Sequence, residues 1–231
     1  MRGEFVFKED GIGGLKFVGD FEGLYQAEDD PWQQVGAEGP MPDYNRHSRA
    51  RLLAVARRHA SNFDALPIKG LEVGCGLGAV TTLLNAAVPC SEWDGTDISQ
   101  SAITQAAKTN PDRRFWVGDI TNPGFVPDGA PGRGWYHMVV LGQLLWYVLH
   151  RIDPVVVNCH QLIRPDGLLI ISQAFLNHQR YGREMCDGFP GLLQFFLSPD
   201  NCARYFRIIE ASYDDSGKYI HNDGLLVLRR I

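Results

Sequence analysis

Residues 68–78 read IKGLEVGCGLG, and residues 79–87, of helical character, follow at once. A short apolar run ending in glycine is a buried strand, and a strand that feeds a helix through a glycine turn opens an open α/β sheet. Glycines let the backbone turn sharply and let a ligand come close to it. Gly74, Gly76 and Ala79 also satisfy the G-x-G-x-x-A dinucleotide pattern, so the turn alone leaves the ligand open.

Outward from this turn, strands and helices alternate. SEWDGTD (91–97) is a second strand, and Ser99 caps a helix through Ala102, Ile103, Ala106 and Ala107. RFWVGD (114–119) and WYHMVVL (135–141) are a third and a fourth strand. Residues 143–150 and 154–162 suit short helices, RPDG (164–167) a turn, and LLIIS (168–172) a fifth strand. This alternation predicts a doubly wound parallel sheet. ARYFRIIEASYDD (203–215) and DGLLVLRRI (223–231) are separated by a few polar residues only. A parallel crossover needs a dozen or more residues, so these two strands form an antiparallel hairpin.

Two segments have no place in the alternation. Residues 173–202 are too long for a plain connection and form a candidate functional loop. Residues 1–43, rich in glycine, proline, acids and spaced aromatics, predict an irregular arm packed onto the rest. Residues 44–60 then have helical periodicity. Leu52, Leu53, Val55, Ala56 and Ala60 share one face, and Arg46, Arg49, Arg51, Arg57 and Arg58 supply a solvated one. We therefore divide the chain into an N-terminal cap, 1–60, and a ligand-binding domain, 61–231, carrying the insertion 173–202.

Composition narrows the function. With 45% hydrophobic and 21% charged residues the 231-residue chain is not wholly disordered. A net charge of −5 gives no electrostatic footprint for nucleic acid. Five cysteines without a C-x-x-C pair indicate neither a zinc site nor a disulfide framework, and no metal is expected. No apolar stretch approaches the ~20 residues of a membrane span, and the acidic start MRGEFVFKEDG is unlike a signal peptide. The expectation is a cytoplasmic protein with a small-molecule substrate, open to homo-oligomerisation.

Asp97 closes the second strand, where a carboxylate can accept hydrogen bonds from both hydroxyls of a ribose. A nicotinamide enzyme wants that acid as well. Asp119, in the third-strand turn Val117-Gly118-Asp119-Ile120, is placed to accept from an adenine amino group. Together with the antiparallel tail, these features resemble the class I S-adenosylmethionine (SAM)-dependent methyltransferases. The resemblance rests on Leu71–Gly78, Asp97-Ile98-Ser99, Gly118-Asp119-Ile120, LGQLLWYV (141–148) and LIRPDGLLI (162–170), and it spans about residues 68–231. It implies a seven-stranded sheet of order 3-2-1-4-5-7-6 with strand 7 antiparallel. It further implies that Gly74 and Gly76 border the methionine part of the cofactor, Asp97 the ribose, and Asp119 and Ile120 the adenine, with Ile98 also among the cofactor-binding residues. The Leu141 carbonyl would face the cofactor's amino group, and Glu72 would order the turn and that amine. A narrower resemblance joins LYQAEDDPW (24–32), Tyr44 and the arginine-rich helix to small methyltransferases related to the nodulation-factor N-methyltransferases. It implies that Trp32 and Tyr44 cover the cofactor. Arg49, with Arg46 as its rival, is the candidate partner of the methionine carboxylate.

Methyl transfer from a sulfonium needs a nucleophile held close and aligned, and a hydroxyl or carbon acid also needs a general base. His47, His150 and His178 are candidates. We place His178 first, with Tyr181 beside it, because it follows the fifth strand at the carboxyl edge where open sheets bind ligands. Glu184 and Asp187 share its segment, and Tyr147 reads as packing. The acceptor expected is an amino sugar, a saccharide or a secondary metabolite. Two rivals remain: a nicotinamide oxidoreductase on a similar sheet, and a non-catalytic scaffold of the same fold.

Overall fold

The computed structural model describes residues 2–34, 38–126 and 132–231. Its main sheet has seven strands: β3 (Ile68–Val73), β4 (Ser91–Asp97), β5 (Phe115–Val117), β6 (Tyr136–Gly142), β7 (Ile163–Phe175), β8 (Phe206–Asp214) and β9 (Asn222–Arg230). They lie in the order β5-β4-β3-β6-β7-β9-β8. The first five are parallel, and β9 runs antiparallel to both β7 and β8. Strand order and the reversed β9 are as the resemblance implies.

Both faces of the sheet are covered, which explains its unbroken apolar strands. Met138, Val140, Leu168, Ile170, Leu225 and Val227 face α3 (Pro40–Ala60) and α4 (Ala79–Ala87). Their neighbours Val139, Leu141, Leu169, Ile171, Leu226 and Leu228 face the opposite way, onto α7 (Ile152–Leu162) and α8 (Gly188–Leu197). Helix α5 (Gln100–Thr109) follows β4, capped by the Ser99 hydroxyl as expected.

Several boundaries move. Helix α3 starts at Pro40 rather than residue 44, because proline in the first helical turn lacks only an amide that has no partner there. Arg49 and Arg51 on that helix are half-buried, not solvated. Arg51 pairs with the buried Asp223 and donates to Ser212 Oγ at 2.7 Å. Residues 164–167 do not end a helix-to-strand turn. They lie within β7 as an irregularity against Tyr136–Met138, with Asp166 at φ 60°. Strand β7 also runs on to Phe175, paired with β9 as far as Asn222, so the insertion begins at residue 176 and contains α8.

The arm is regular where the sequence reads irregular. It comprises α1 (Arg2–Val6), the hairpin β1 (Phe7–Glu9) and β2 (Leu15–Phe17), and α2 (Phe21–Ala27). Asp10 Oδ1 holds the hairpin turn by accepting from Ile12 N and Gly14 N at 2.9 and 2.8 Å. Glu22 fastens α2 to the start of α5, accepting from the Ser99 and Ser101 hydroxyls at 2.7 and 2.6 Å. One turn of α6 (Leu145–Val148) and a 3₁₀ turn (Leu149–Arg151) lead into α7.

Candidate functional site

The carboxyl ends of β3 to β7 open into a cavity of about 470 Å³, within the size range of small-molecule sites. Gly74 lines it, and in the turn Gly74, Gly76 and Gly78 have φ of 73°, 52° and 75°, the left-handed region where glycine is at home. The close packing there leaves no room for side chains. A Cβ on Gly74 would stand 2.6 Å from Leu144 Cδ1, and one on Gly76 2.4 Å from the Tyr25 hydroxyl.

Asp97, at the end of β4, is buried. One carboxylate oxygen accepts from Gly76 N at 2.9 Å and the other from Ser99 N at 3.0 Å. It thereby ties the glycine turn to the α5 cap while still lining the cavity. Each oxygen keeps a lone pair for a further donor. Burial pushes its carboxyl above the ordinary aspartate value, against the pull of those amides. Glu72, in β3, is fully buried and accepts from the Thr81 hydroxyl. Burial raises it to about 8, with Thr81 and the Arg49 charge acting the other way. Asp119, just past β5, spends Oδ1 on Thr121 N and Thr121 Oγ1, at 2.8 and 2.7 Å.

Trp32, Tyr44, Arg49, Ile98, Ile120 and Tyr181 also line the cavity. Gly76 and Leu141 lie just beneath its lining: the Gly76 amide is turned to Asp97, and the Leu141 side chain is in the core. His178 is a correction. It is exposed and absent from the lining, although its neighbours Leu176, Gln179, Arg180 and Tyr181 belong to it. His47 is elsewhere too, stacked on Tyr219 and paired with Asp214. Arg46 pairs with Asp43 on the exposed side of α3 and stays away from the cavity.

The histidines that do line it are His150, exposed at the mouth, and His221, in the loop before β9. Both imidazoles titrate below the ordinary value, chiefly through burial. His150 also senses Arg151 and Asp119. His221 sits edge-on to Tyr44 with ring centroids 5.2 Å apart, and its Nδ1 is buried without a partner.

Sequence reasoning missed Gln143. This residue follows β6 with φ 58°, a strained value for a side chain with a Cβ. Its amide donates to Tyr44 Oη and Ser48 Oγ at 3.2 and 3.0 Å and accepts from Ala174 N at 2.8 Å. The Tyr44 hydroxyl in turn donates to Asp223 at 2.9 Å. Gln34 was missed as well. Its Oε1 accepts from Leu77 N in the glycine turn at 3.0 Å, and its carbonyl accepts from Arg49 at 2.7 Å.

The arm and the insertion meet over the cavity. Leu15 N donates to Arg180 O at 3.3 Å, and the Arg180 guanidinium donates to Gly13 O at 3.1 Å and to Glu9. Phe7 packs on Tyr181 at 5.0 Å between centroids and Trp32 on Tyr147 at 5.3 Å.

Residues 71–169 match the family model described as "Methyltransferase domain". Over 131 residues the chain is 31% identical to a non-reducing polyketide synthase of Hypocrea jecorina, covering 53% of this chain but 5% of that far longer protein. Among solved structures it is similar to the N-methyltransferase NodS of Bradyrhizobium japonicum WM9 in complex with S-adenosylhomocysteine, at a TM-score of 0.65 and 17% identity over 91% of this chain and 97% of that one. It is also similar to the CurJ carbon methyltransferase, at a TM-score of 0.64 and 15% identity over 93% of this chain and 62% of that one. A seven-stranded sheet with its reversed strand, a glycine cradle with acids at three successive strand ends, and the match over residues 71–169 converge on the methyltransferase fold.

Proposed function

We propose that this chain methylates a small-molecule acceptor held over the ends of β6 and β7. The observation that carries the reading is the single cavity in which Gly74, Asp97 and Asp119 share a wall while space remains beside Gln143 and Ala174. On this reading Glu72, Gly74 and Arg49 hold the methionine end. Asp97, with Ile98, holds the ribose, and Asp119 with Ile120 holds the adenine. Trp32 and Tyr44 close the site from α3 and the segment before it, so that residues 1–60 act as a cap. Bound there, SAM would supply an activated methyl on a sulfonium.

The chain's own part is to align the acceptor and to take its proton. His221 is the base we favour. His150 feels the Asp119 charge and packs on Phe17 at 4.7 Å between centroids, whereas His221 adjoins Tyr44, which is bonded to Gln143 at the end of β6. A neutral imidazole near pH 7 is ready to accept.

Calorimetric titration tests the cofactor roles. Asp97→Ala should cost about 1.5–3 kcal/mol in SAM affinity, the worth of charge-assisted bonds. Asp119→Ala should weaken SAM and S-adenosylhomocysteine equally, since both carry the same base. Unchanged affinity in a folded Asp97→Ala protein, or an Asp119→Ala effect on SAM alone, contradicts the assignment.

A further inference from the structure

The cavity has two unlike halves. All three acids among its lining residues, Glu72, Asp97 and Asp119, sit at the ends of β3, β4 and β5. Over the rest of it lie aromatic rings. Phe7 and Phe17 come from the hairpin, Phe21 from α2, Tyr147 from α6 and Tyr181 from the insertion. Phe7 stands 5.7 Å from Phe17 and 5.0 Å from Tyr181, and Phe21 stands 5.4 Å from Tyr147. Such tilted and edge-on rings present faces and edges to a further flat ring.

The polar side chains around this half are largely spent on the protein itself. Gln143 uses both ends of its amide on Tyr44, Ser48 and Ala174. Gln179 donates to Tyr181 O and Cys186 O and accepts from Gly188 N. Gln173 accepts from Leu145 N, Ser172 pairs with Ser48, and Arg180 is held by Glu9 and Gly13. Among the described residues the Tyr181 hydroxyl and His221 Nδ1 are buried without a partner, and the Tyr147 hydroxyl and the His150 ring on the same lining are left to meet a ligand.

A saccharide or an amino sugar would bring many hydroxyls, or a cation, to a chamber with few groups left to meet them. Each polar group buried unpaired is costly, and a charge more so. We propose that the acceptor is an uncharged, planar aromatic molecule carrying a hydroxyl, its ring held among Phe7, Phe17, Tyr147 and Tyr181 and its oxygen within reach of the Tyr181 hydroxyl and the His221 imidazole. This proposal rests on the methyltransferase reading of the same cavity and narrows the acceptor expected from the sequence.

The test is calorimetric titration of the whole chain, saturated with S-adenosylhomocysteine, with three probes: 2-naphthol, naphthalene and glucosamine. We expect 2-naphthol to bind, naphthalene to bind more weakly and glucosamine to give no heat of binding. Phe17→Ala should weaken 2-naphthol about tenfold, the loss of a ring contact with its buried area, with S-adenosylhomocysteine affinity kept. Tyr181→Phe should weaken 2-naphthol about fivefold, one hydrogen bond, and leave naphthalene unchanged. Failure of 2-naphthol to bind the loaded protein overturns the proposal, as does glucosamine binding as tightly, or Tyr181→Phe weakening both aromatic probes alike. Failure of S-adenosylhomocysteine itself to bind is a different result, which removes the cofactor reading first.

Discussion

The residues of the site divide by how they are fixed. Glu72, Asp97 and Asp119 were legible in the sequence because each is tied to the end of a strand, and a parallel sheet brings successive strand ends to one edge. Gln143, Gln34, Tyr25 and His221 were not legible. They reach the cavity through loops, through a strained backbone or through contacts across more than forty residues, and no local periodicity records such placement. Histidine shows the limit best. His178 follows the fifth strand in sequence yet is exposed and absent from the lining, while His221 arrives from the start of β9. His221→Gln should therefore lower kcat by roughly 10²–10⁴, the usual worth of a positioned base, with SAM affinity intact, whereas His178→Gln should change neither. In the parent protein the rate should rise with pH through a single ionisation below the ordinary histidine value and level off near neutrality, because burial depresses the His221 imidazole and only the neutral ring accepts a proton. A flat pH–rate profile, or full activity in His221→Gln, removes this base.

Elements inside the strand–helix alternation were legible, even the three-residue β5, and those of the arm were not. The sheet strands and α3 declare themselves by alternation or by a 3.6-residue stripe. The hairpin strands β1 and β2 are three residues each, too short to carry a pattern, and so the arm reads as irregular. Strand β7 outran its apolar stretch because its last residues, Gln173 and Ala174, find partners in β9 and at Gln143. We expect the hairpin and the segment 176–187 to act as a lid, since they are clasped by Arg180 and stacked ring on ring at Phe7 and Tyr181. Without S-adenosylhomocysteine both should exchange backbone amides faster than the sheet and slow together on its addition. Arg180→Ala should quicken exchange in both segments and impair turnover while leaving sheet protection unchanged. Exchange indifferent to the ligand in both segments would make them fixed parts of the core.

At the scale of the molecule, the buried Glu72 links ligand, pH and stability. Its carboxyl titrates near 8 in the folded protein, above its ordinary value of 4.5, because burial penalises the charge. A raised carboxyl stabilises the fold fully below that ordinary value and loses its contribution as pH climbs to about 8. Across this window the folded state holds a proton that the unfolded chain has released, and stability falls by up to about 1.4 kcal/mol per pH unit from this group. A cation brought beside Glu72, as the methionine ammonium would be, favours the ionised form. SAM binding at pH 7 should then expel a proton, seen as a binding heat that depends on the buffer's ionisation enthalpy, and affinity should rise with pH up to about 8. Binding without proton release would separate Glu72 from the cofactor amine. The order of segments along the chain bears on how the molecule is made. The arm with Phe7, Phe17 and Phe21 precedes the sheet, yet Arg180 and Tyr181, the groups that clasp it, lie more than 160 residues downstream of the hairpin. On a ribosome, which releases an N-terminal segment first, those aromatic rings emerge well before the surface they cover exists. A nascent chain stalled short of residue 180 would carry them unclasped, a ready target for a chaperone or for a second unfinished chain.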